Sequence, residues 1–155
     1  MITTESLSYP ILMFSKGLFI LEFKESPHAL IWEKASLRRL DDLKGVSVID
    51  NELKEYHVLT TRVVRGHGFL SGYFLRGPFL ERRVVFSSEL AFVLQRNIRS
   101  VAELIIQYMQ TAQGFNKRDV GRFWAAFETF APSSDSTIAA LYAFYSDFKW
   151  GDELG

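Results

Sequence analysis

The sequence contains no cysteine, and this absence excludes several kinds of chemistry at once. Without thiols, the chain has no disulfide, no thiolate metal ligand and no cysteine nucleophile. Histidine is also scarce: His28, His57 and His67 are the only three, and no two of them have the short spacing typical of a zinc site. The glycines do not form a phosphate-binding loop. We therefore expect no metal site and no cofactor.

Long apolar runs are missing as well. No run approaches the roughly 20 residues that a membrane-spanning helix needs. The first six residues have neither the basic nor the apolar region of a signal peptide. A length of 155 residues suits a single domain over residues 1–155. We expect a cytoplasmic protein that does not associate with membranes.

A net charge is absent too, because 18 basic side chains balance 18 acidic ones. A neutral chain has no overall field that would steer it towards nucleic acid. The charges are nevertheless unevenly distributed. Residues 62–99 hold seven arginines and two glutamates, a net charge of +5, and residues 128–155 hold five carboxylates and one lysine, a net charge of −4. Such asymmetry indicates either a binding face or an ordinary solvated mixture of charges.

Aromatic residues, in contrast, are abundant: 14 phenylalanines, six tyrosines and three tryptophans. Most of these rings must lie in the core, where they bury a large apolar area. Rings that the core cannot hold favour an interface, because aromatic residues and arginine are enriched where proteins meet.

Short runs of β-branched and aromatic residues between turn signals predict an N-terminal antiparallel sheet. The segment 29–33 also fits a helix capped by Ser26, and 89–98 fits either a strand or a helix. Leu37, Leu40 and Leu43, followed by Gly45, indicate a short helix. The predicted strands lie near 9–14, 18–24, 29–33, 46–50, 55–64, 69–75 and 82–87.

The pattern changes to helical periodicity at Ser100. Apolar stripes predict helices near 101–113, 117–130 and 136–148. We predict that Ser100 caps the first in a capping box with Glu103, Asn116 caps the second, and Ser134 or Asp135 caps the third. The order of elements predicts an α+β fold in which three helices cover one face of the antiparallel sheet.

The sequence offers little for catalysis. His57 and Asp50 lie on opposite arms of a predicted hairpin, and a histidine held by a carboxylate would be half of a catalytic triad. The simpler interpretation is a polar pair on the solvent face of a sheet. We expect a domain that is not an enzyme, and a small enzyme with a hidden site stays an alternative.

A second alternative comes from Arg65-Gly66-His67-Gly68-Phe69-Leu70, which resembles a strand motif of RNA-recognition-motif domains. Leu18–Phe23 is similar to the other strand motif of that family. The resemblance implies a sheet on which bases stack. Histidine replaces the first stacking aromatic, and Gly72 replaces the last. RNA binding through 62–86 therefore stays an alternative, and nucleic acid is not the expected partner.

The hairpin Gly45-Val46-Ser47-Val48-Ile49-Asp50, running into Tyr56-His57-Val58, is similar to the G-x-x-V-I-D hairpin of immunity proteins from bacterial polymorphic-toxin systems. Leu53 stands where those turns usually have glycine. The resemblance implies a cytoplasmic protein without catalytic activity that binds and neutralises a cognate toxin domain.

Residues 62–83 combine arginine with aromatic rings, the types that dominate binding energy at interfaces. We therefore predict that they form much of the surface that contacts the partner protein. The acidic C-terminal residues Asp147, Asp152 and Glu153 form a competing face, and a homodimer stays open. The predicted contact residues are Arg62, Arg65, His67, Phe69, Tyr73, Arg76, Phe79, Arg82 and Arg83.

Overall fold

The computed structural model describes residues 2–15, 20–26, 31–32, 43–66, 84–111, 116–130 and 137–148, with the backbone alone at 20, 31–32, 63–66 and 84–86. Seven antiparallel strands, one short 3-10 helix (Thr4–Ser6) and three α-helices occupy these ranges, and the α-helices follow the sheet in the chain. The predicted α+β architecture is confirmed. The strands are β1 (Ile2–Thr3), β2 (Ile11–Ser15), β3 (Ile20–Lys24), β4 (Ile31–Trp32), β5 (Ser47–Ile49), β6 (Lys54–Gly66) and β7 (Val84–Gln95), and the helices are α1 (Ile98–Thr111), α2 (Lys117–Phe130) and α3 (Ile138–Asp147).

The sheet has the strand order β1-β7-β6-β5-β2-β3, and β4 also pairs with β7. β1 and β4 share the outer edge of β7, because β6 occupies the other edge along its whole length. β6 and β7 are the longest strands, and three register shifts interrupt their pairing. At each shift one strand has a residue without a partner on the other: Leu59 and Val64 on β6, and Val93 on β7. Such β-bulges change the direction in which nearby side chains point.

The helices bury one face of the sheet. Leu12 of β2 and Ile49 of β5 point into a core that also contains Ile105, Phe123 and Leu141 from the helices. Aromatic rings line the interior of this layer, and the rings of Phe123 and Phe144 lie 5.3 Å apart between centroids. Most of the described aromatic residues thus serve the core, as burial of such large apolar surfaces favours.

The opposite face of the sheet carries a second core, which the sequence did not predict. Alternation along β2 and β5 sends Ile11, Met13 and Val48 to this side, where Tyr56 and Val58 of β6 join them. Leu7 and Tyr9 from the segment before β2 pack against them. The sheet is therefore covered on both faces around β2 and β5.

Capping residues define the helix starts, and two of them differ from the predictions. α1 begins earlier than predicted, because Asn97 rather than Ser100 is its cap: the Asn97 side chain accepts from the backbone N–H of Ser100 at 2.8 Å. Asn116 caps α2 as predicted, accepting from the N–H of Asp119 at 2.8 Å. α3 is capped by Thr137, which accepts from the N–H of Ala140, and not by Ser134 or Asp135.

The strand bounds also need correction. The predicted strand 82–87 is described from Val84 onward, and it continues to Gln95, because pairing with β6 holds the ambiguous residues 89–95 extended. The segment 29–33 contains the two-residue strand β4. The predicted strand 69–75 and almost all of the helix predicted to end at Gly45 lie outside the described residues.

Candidate functional site

The predicted contact residues fall mainly in the connection between β6 and β7. Arg62 lies exposed on β6, opposite Ser87, and Arg65 lies near the end of the same strand. The other seven, His67, Phe69, Tyr73, Arg76, Phe79, Arg82 and Arg83, lie outside the described residues.

Arg62 has an acidic neighbour in Glu5. Ser87 Oγ donates a hydrogen bond to Glu5 Oε2 at 2.8 Å. Burial raises the pKa of Glu5. Hydrogen bonds with Ser87, its own backbone and Thr3, together with the positive charge of Arg62, lower this pKa by more than burial raises it. The net pKa of Glu5 therefore lies below its ordinary value, so the N-terminal segment presents an anion beside Arg62.

The proposed pair of His57 and Asp50 is not formed. His57 lies opposite Ser47, whereas the backbone N–H of Asp50 donates to Lys54 O, three positions further along the hairpin. The buried Asp50 carboxylate instead accepts hydrogen bonds from the N–H groups of Glu52 and Lys54, each at 3.0 Å. Its role is to hold the turn between β5 and β6.

The carboxylate beside His57 belongs to Glu55, which the sequence analysis did not single out. His57 Nε2 lies 3.7 Å from Glu55 Oε1, and the same oxygen accepts from Ser47 Oγ at 2.9 Å. Arg96 Nε donates to the other oxygen. Both oxygens of this buried carboxylate are thus engaged, which favours a structural role, since a general base needs an oxygen or nitrogen directed at its substrate.

A groove between α1 and α2 is a concave feature lined by described residues. One recess of about 420 Å³ is bounded by Ile106, Val120 and Trp124, together with the polar side chains of Glu103, Gln107 and Gln110. A second recess of about 330 Å³ shares Gln110 and Val120 with the first and extends to Lys117 at the start of α2. The two recesses together form the α1–α2 groove.

Arg99 contacts Trp124, one of the residues that line the α1–α2 groove. Its guanidinium lies 5.0 Å from the ring centroid of Trp124, within the range of a cation–π contact. Arg99 Nη2 also lies 3.0 Å from Glu128 Oε1 on α2. The stacked and paired guanidinium holds the half-buried indole in place beside the recess.

Gly121 lies on the exposed side of α2, where the helix lines the groove. A Cβ atom added at this position would have no neighbour within 4 Å, so crowding by the described part of the chain does not explain the glycine. Glycine in a helix interior costs roughly 0.5–1 kcal/mol relative to alanine. A glycine in the middle of an otherwise strong helix pattern, three residues before Trp124, was the signal in the sequence that could have pointed to this groove.

Large apolar side chains are also exposed on the two longest strands. The exposed fractions are 55% for Phe92, 40% for Val93 and 39% for Leu94 on β7, and 44% for Leu59 on β6. Three consecutive exposed apolar residues on one strand are unusual for a free surface.

The structure gives the RNA-binding alternative no stacking platform in the described residues. The two segments that resemble the RNA-binding motifs lie apart in the sheet. One contains β3 and the other contains the end of β6, and β5 and β2 lie between these strands. Phe23 of β3 packs against the helical core, 4.8 Å from the Tyr142 ring, so it does not present a face to a base.

Within the described ranges, no cluster of three acidic or histidine side chains could hold a metal ion. None of the helices there is long and apolar enough to cross a bilayer. Comparison of the chain with protein-family models, with curated proteins and with solved structures found no match.

Proposed function

We propose that this chain is a protein-binding domain without catalytic activity, and that it acts as an immunity protein that neutralises a cognate toxin domain. The observation that carries the proposal is the α1–α2 groove, which combines open space with the residue types that anchor protein partners. Tryptophan and arginine are enriched among the residues that dominate binding energy at interfaces; Trp124 lines this groove, and Arg99 stacks on its ring.

The groove suits a protein side chain better than a charged small molecule. Its walls are apolar at Ile106, Val120 and Trp124. The amides Gln107 and Gln110 lie among these walls, and the two charged residues, Glu103 and Lys117, have opposite signs. An apolar anchor from the partner would bury these walls, while the amides would pair with the main chain around the anchor. Gly121 leaves room for that main chain to approach the helix closely.

The turn between β5 and β6 supports the more specific proposal of an immunity protein. Leu53 has a φ of 66°, the left-handed conformation that glycine adopts most readily. This is the position where the hairpins of that family usually carry glycine. The backbone of the turn thus has the geometry that the family's glycine permits, although the residue here is leucine.

The basic and aromatic residues between β6 and β7 form the second candidate surface for the same partner. Arg62 is the member of this set whose side chain the structure describes, and it is exposed. A toxin domain with an acidic surface would favour this face, because complementary charge speeds association.

The test begins with capture of partners from the native host on the purified full-length chain, followed by mass spectrometry. A captured protein supports the proposal only if its expression stops cell growth and co-expression of this chain restores it. Capture of a protein that is not toxic, or failure to restore growth, would overturn the assignment as an immunity protein.

Variants then locate the contact surface. Gly121→Trp fills the groove, and Ala143→Trp places the same large ring on an exposed position of α3 that does not line it. We expect Gly121→Trp to weaken partner binding at least tenfold, a loss of about 1.4 kcal/mol, with little change for Ala143→Trp. If Arg62→Glu weakens binding and Gly121→Trp does not, the partner uses the basic face and the groove assignment is wrong.

A further inference from the structure

We propose that the α1–α2 groove binds an extended segment of the partner protein, in which an apolar side chain and a carboxylate are separated by one residue. The apolar side chain occupies the first recess, beside Trp124, and the carboxylate occupies the second recess, beside Lys117. This inference rests on the proposed function, because it names the kind of segment by which the groove would recognise the toxin domain.

The two recesses differ in charge. Glu103 lines the first recess, and Lys117 lines the second. Glu103 Oε1 lies 3.9 Å from Arg99 Nε, whereas none of the carboxylates in the described ranges forms an ion pair with Lys117. A carboxylate of the partner therefore meets a cation at one end of the groove and a like charge at the other, which decides the end at which it binds.

The first recess suits an apolar side chain. Ile106 lines it from α1, and Val120 and Trp124 line it from α2. The Arg99 guanidinium already lies over the Trp124 ring, so the indole is positioned before a partner arrives. An apolar side chain placed against these three residues would remove their exposed apolar surface from water, which favours binding.

The polar wall of the groove favours an extended segment over a helix. The side-chain amides of Gln107 and Gln110 lie one turn apart on α1, and they form no hydrogen bond with a described residue. A helix satisfies its own main-chain N–H and C=O groups, whereas an extended segment leaves these groups in need of partners. Each amide can both donate to and accept from such a main chain. On the α2 wall, the open space at Gly121 lets the main chain come close.

The length of the groove sets the spacing of the two side chains. The recesses share Gln110 and Val120, and their far ends, at Trp124 and Lys117, lie two turns apart on α2, about 10 Å along the helix axis. Alternate residues of an extended chain point to the same side and lie about 6.5 Å apart. Two such residues therefore reach the two recesses, and the residue between them points away from the groove.

Peptide display on the full-length chain tests this specificity before the partner is known. The probe is a phage library of random dodecapeptides, selected on the wild type and depleted on Gly121→Trp, in which the added ring fills the groove. We expect the remaining peptides to share an apolar residue and an aspartate or glutamate separated by one position. Failure to enrich any peptide, or enrichment of peptides without this pattern, would overturn the proposal.

Charge reversal then tests the contact with Lys117, with a synthetic selected peptide and fluorescence anisotropy as the measurement. We expect Lys117→Glu to weaken binding about fivefold, because repulsion replaces attraction at an exposed site, and a lysine in place of the acidic residue of the peptide should restore it. Lys44→Glu changes the charge equally at an exposed position that lines neither recess, so it should leave the affinity unchanged. Equal effects of the two variants would contradict the contact.

Loss of the fold would not explain a weaker Lys117→Glu variant. A carboxylate in the first turn of α2 interacts favourably with the helix dipole, and circular dichroism checks that the variant is folded.

Failure of this inference is distinguishable from failure of the proposed function. A chain that neutralises a toxin but selects no peptide with the pattern contradicts the extended segment and leaves the immunity function in place. A chain that binds such peptides through Lys117 but neutralises no toxin has the groove specificity without the immunity function.

Discussion

Asn51 joins the sheet to the helical layer through Ala139. The side-chain Oδ1 of Asn51, in the turn between β5 and β6, accepts a hydrogen bond of 2.9 Å from the backbone N–H of Ala139 in the first turn of α3. The first N–H groups of a helix have no partner within the helix. Thr137 satisfies one of them from the helix's own cap, and Asn51 satisfies another from 88 residues earlier in the chain.

We expect Asn51→Leu to lower the free energy of unfolding by about 1 kcal/mol, because the Ala139 N–H loses its acceptor. Asn51→Asp keeps an oxygen in the same place and adds a negative charge at the positive end of the α3 dipole, so it should be at least as stable as the wild type. Urea denaturation of both variants measures the difference. Equal losses in the two variants would show that the hydrogen bond does not stabilise the fold.

Leu53 combines a buried side chain with a left-handed backbone conformation. Its φ is 66°, and its side chain lies in the core beneath the helices. Leu53→Ala should cost about 2–5 kcal/mol, because it leaves a cavity. Leu53→Gly loses nearly the same apolar surface but relieves a strain of about 1 kcal/mol.

The expected order of stability at this position is therefore leucine, then glycine, then alanine. At most buried positions alanine is the less damaging substitution, because glycine loses more backbone entropy on folding. Thermal or urea unfolding of the two variants decides the order, and a more stable alanine variant would contradict the strain at Leu53.

Local sequence signals account for a large part of the fold. The hairpin of β5 and β6, the Asn116 cap and the three helices follow from alternation, helical periodicity and capping chemistry, which act within a few residues. β7 is different. Leu90, Val93 and Leu94 have helical spacing, and only pairing with β6, about 30 residues earlier, holds them in a strand.

The candidate site depended even more on distant parts of the chain. Arg96 and Glu55 are 41 residues apart in the sequence, and their pairing engages the carboxylate that stands beside His57. The apolar stripe of α2 includes Val120 and Trp124, but the sequence does not show that α1 leaves them partly open in a groove. Which face of an element stays exposed is decided by tertiary packing.

Stability at high pH should depend on Tyr56. Burial raises the pKa of this phenol, and the nearby charge of Asp50 raises it further. A raised pKa means that the folded state holds the proton more tightly, so this stabilisation is present below the unfolded pKa of about 10 and is lost as the pH rises through the folded pKa. Tyr56→Phe should therefore lose less stability than the wild type above about pH 10.

Asp50→Asn separates the two causes. The substitution removes the negative charge, so the pKa of Tyr56 should fall partway towards its ordinary value. The amide oxygen can still accept hydrogen bonds from the N–H groups of Glu52 and Lys54, so the turn should keep its shape. Ultraviolet absorbance of tyrosinate during alkaline titration, compared between the wild type, Tyr56→Phe and Asp50→Asn, measures the shift. An unchanged Tyr56 titration in Asp50→Asn would leave burial as the sole cause.

Two glycines should respond in opposite directions to the same substitution. At both Gly45 and Gly121, an added Cβ would meet no atom within 4 Å, so crowding does not decide the outcome at either position. Gly45 has a φ of 84°, and alanine there should cost about 1–2 kcal/mol. Gly121 lies inside α2, and Gly121→Ala should raise the free energy of unfolding by about 1 kcal/mol.

Urea denaturation of Gly45→Ala, Gly121→Ala and the double variant measures these effects. The two positions lie on separate elements, so their effects should add in the double variant, which should be close to the wild type in stability. A stabilising Gly121→Ala would also show that the glycine is not needed for folding, which leaves close approach by a partner as the physical reason for it. Destabilisation by Gly121→Ala would instead indicate that the helix requires glycine there and would remove this support for the α1–α2 groove as a binding site.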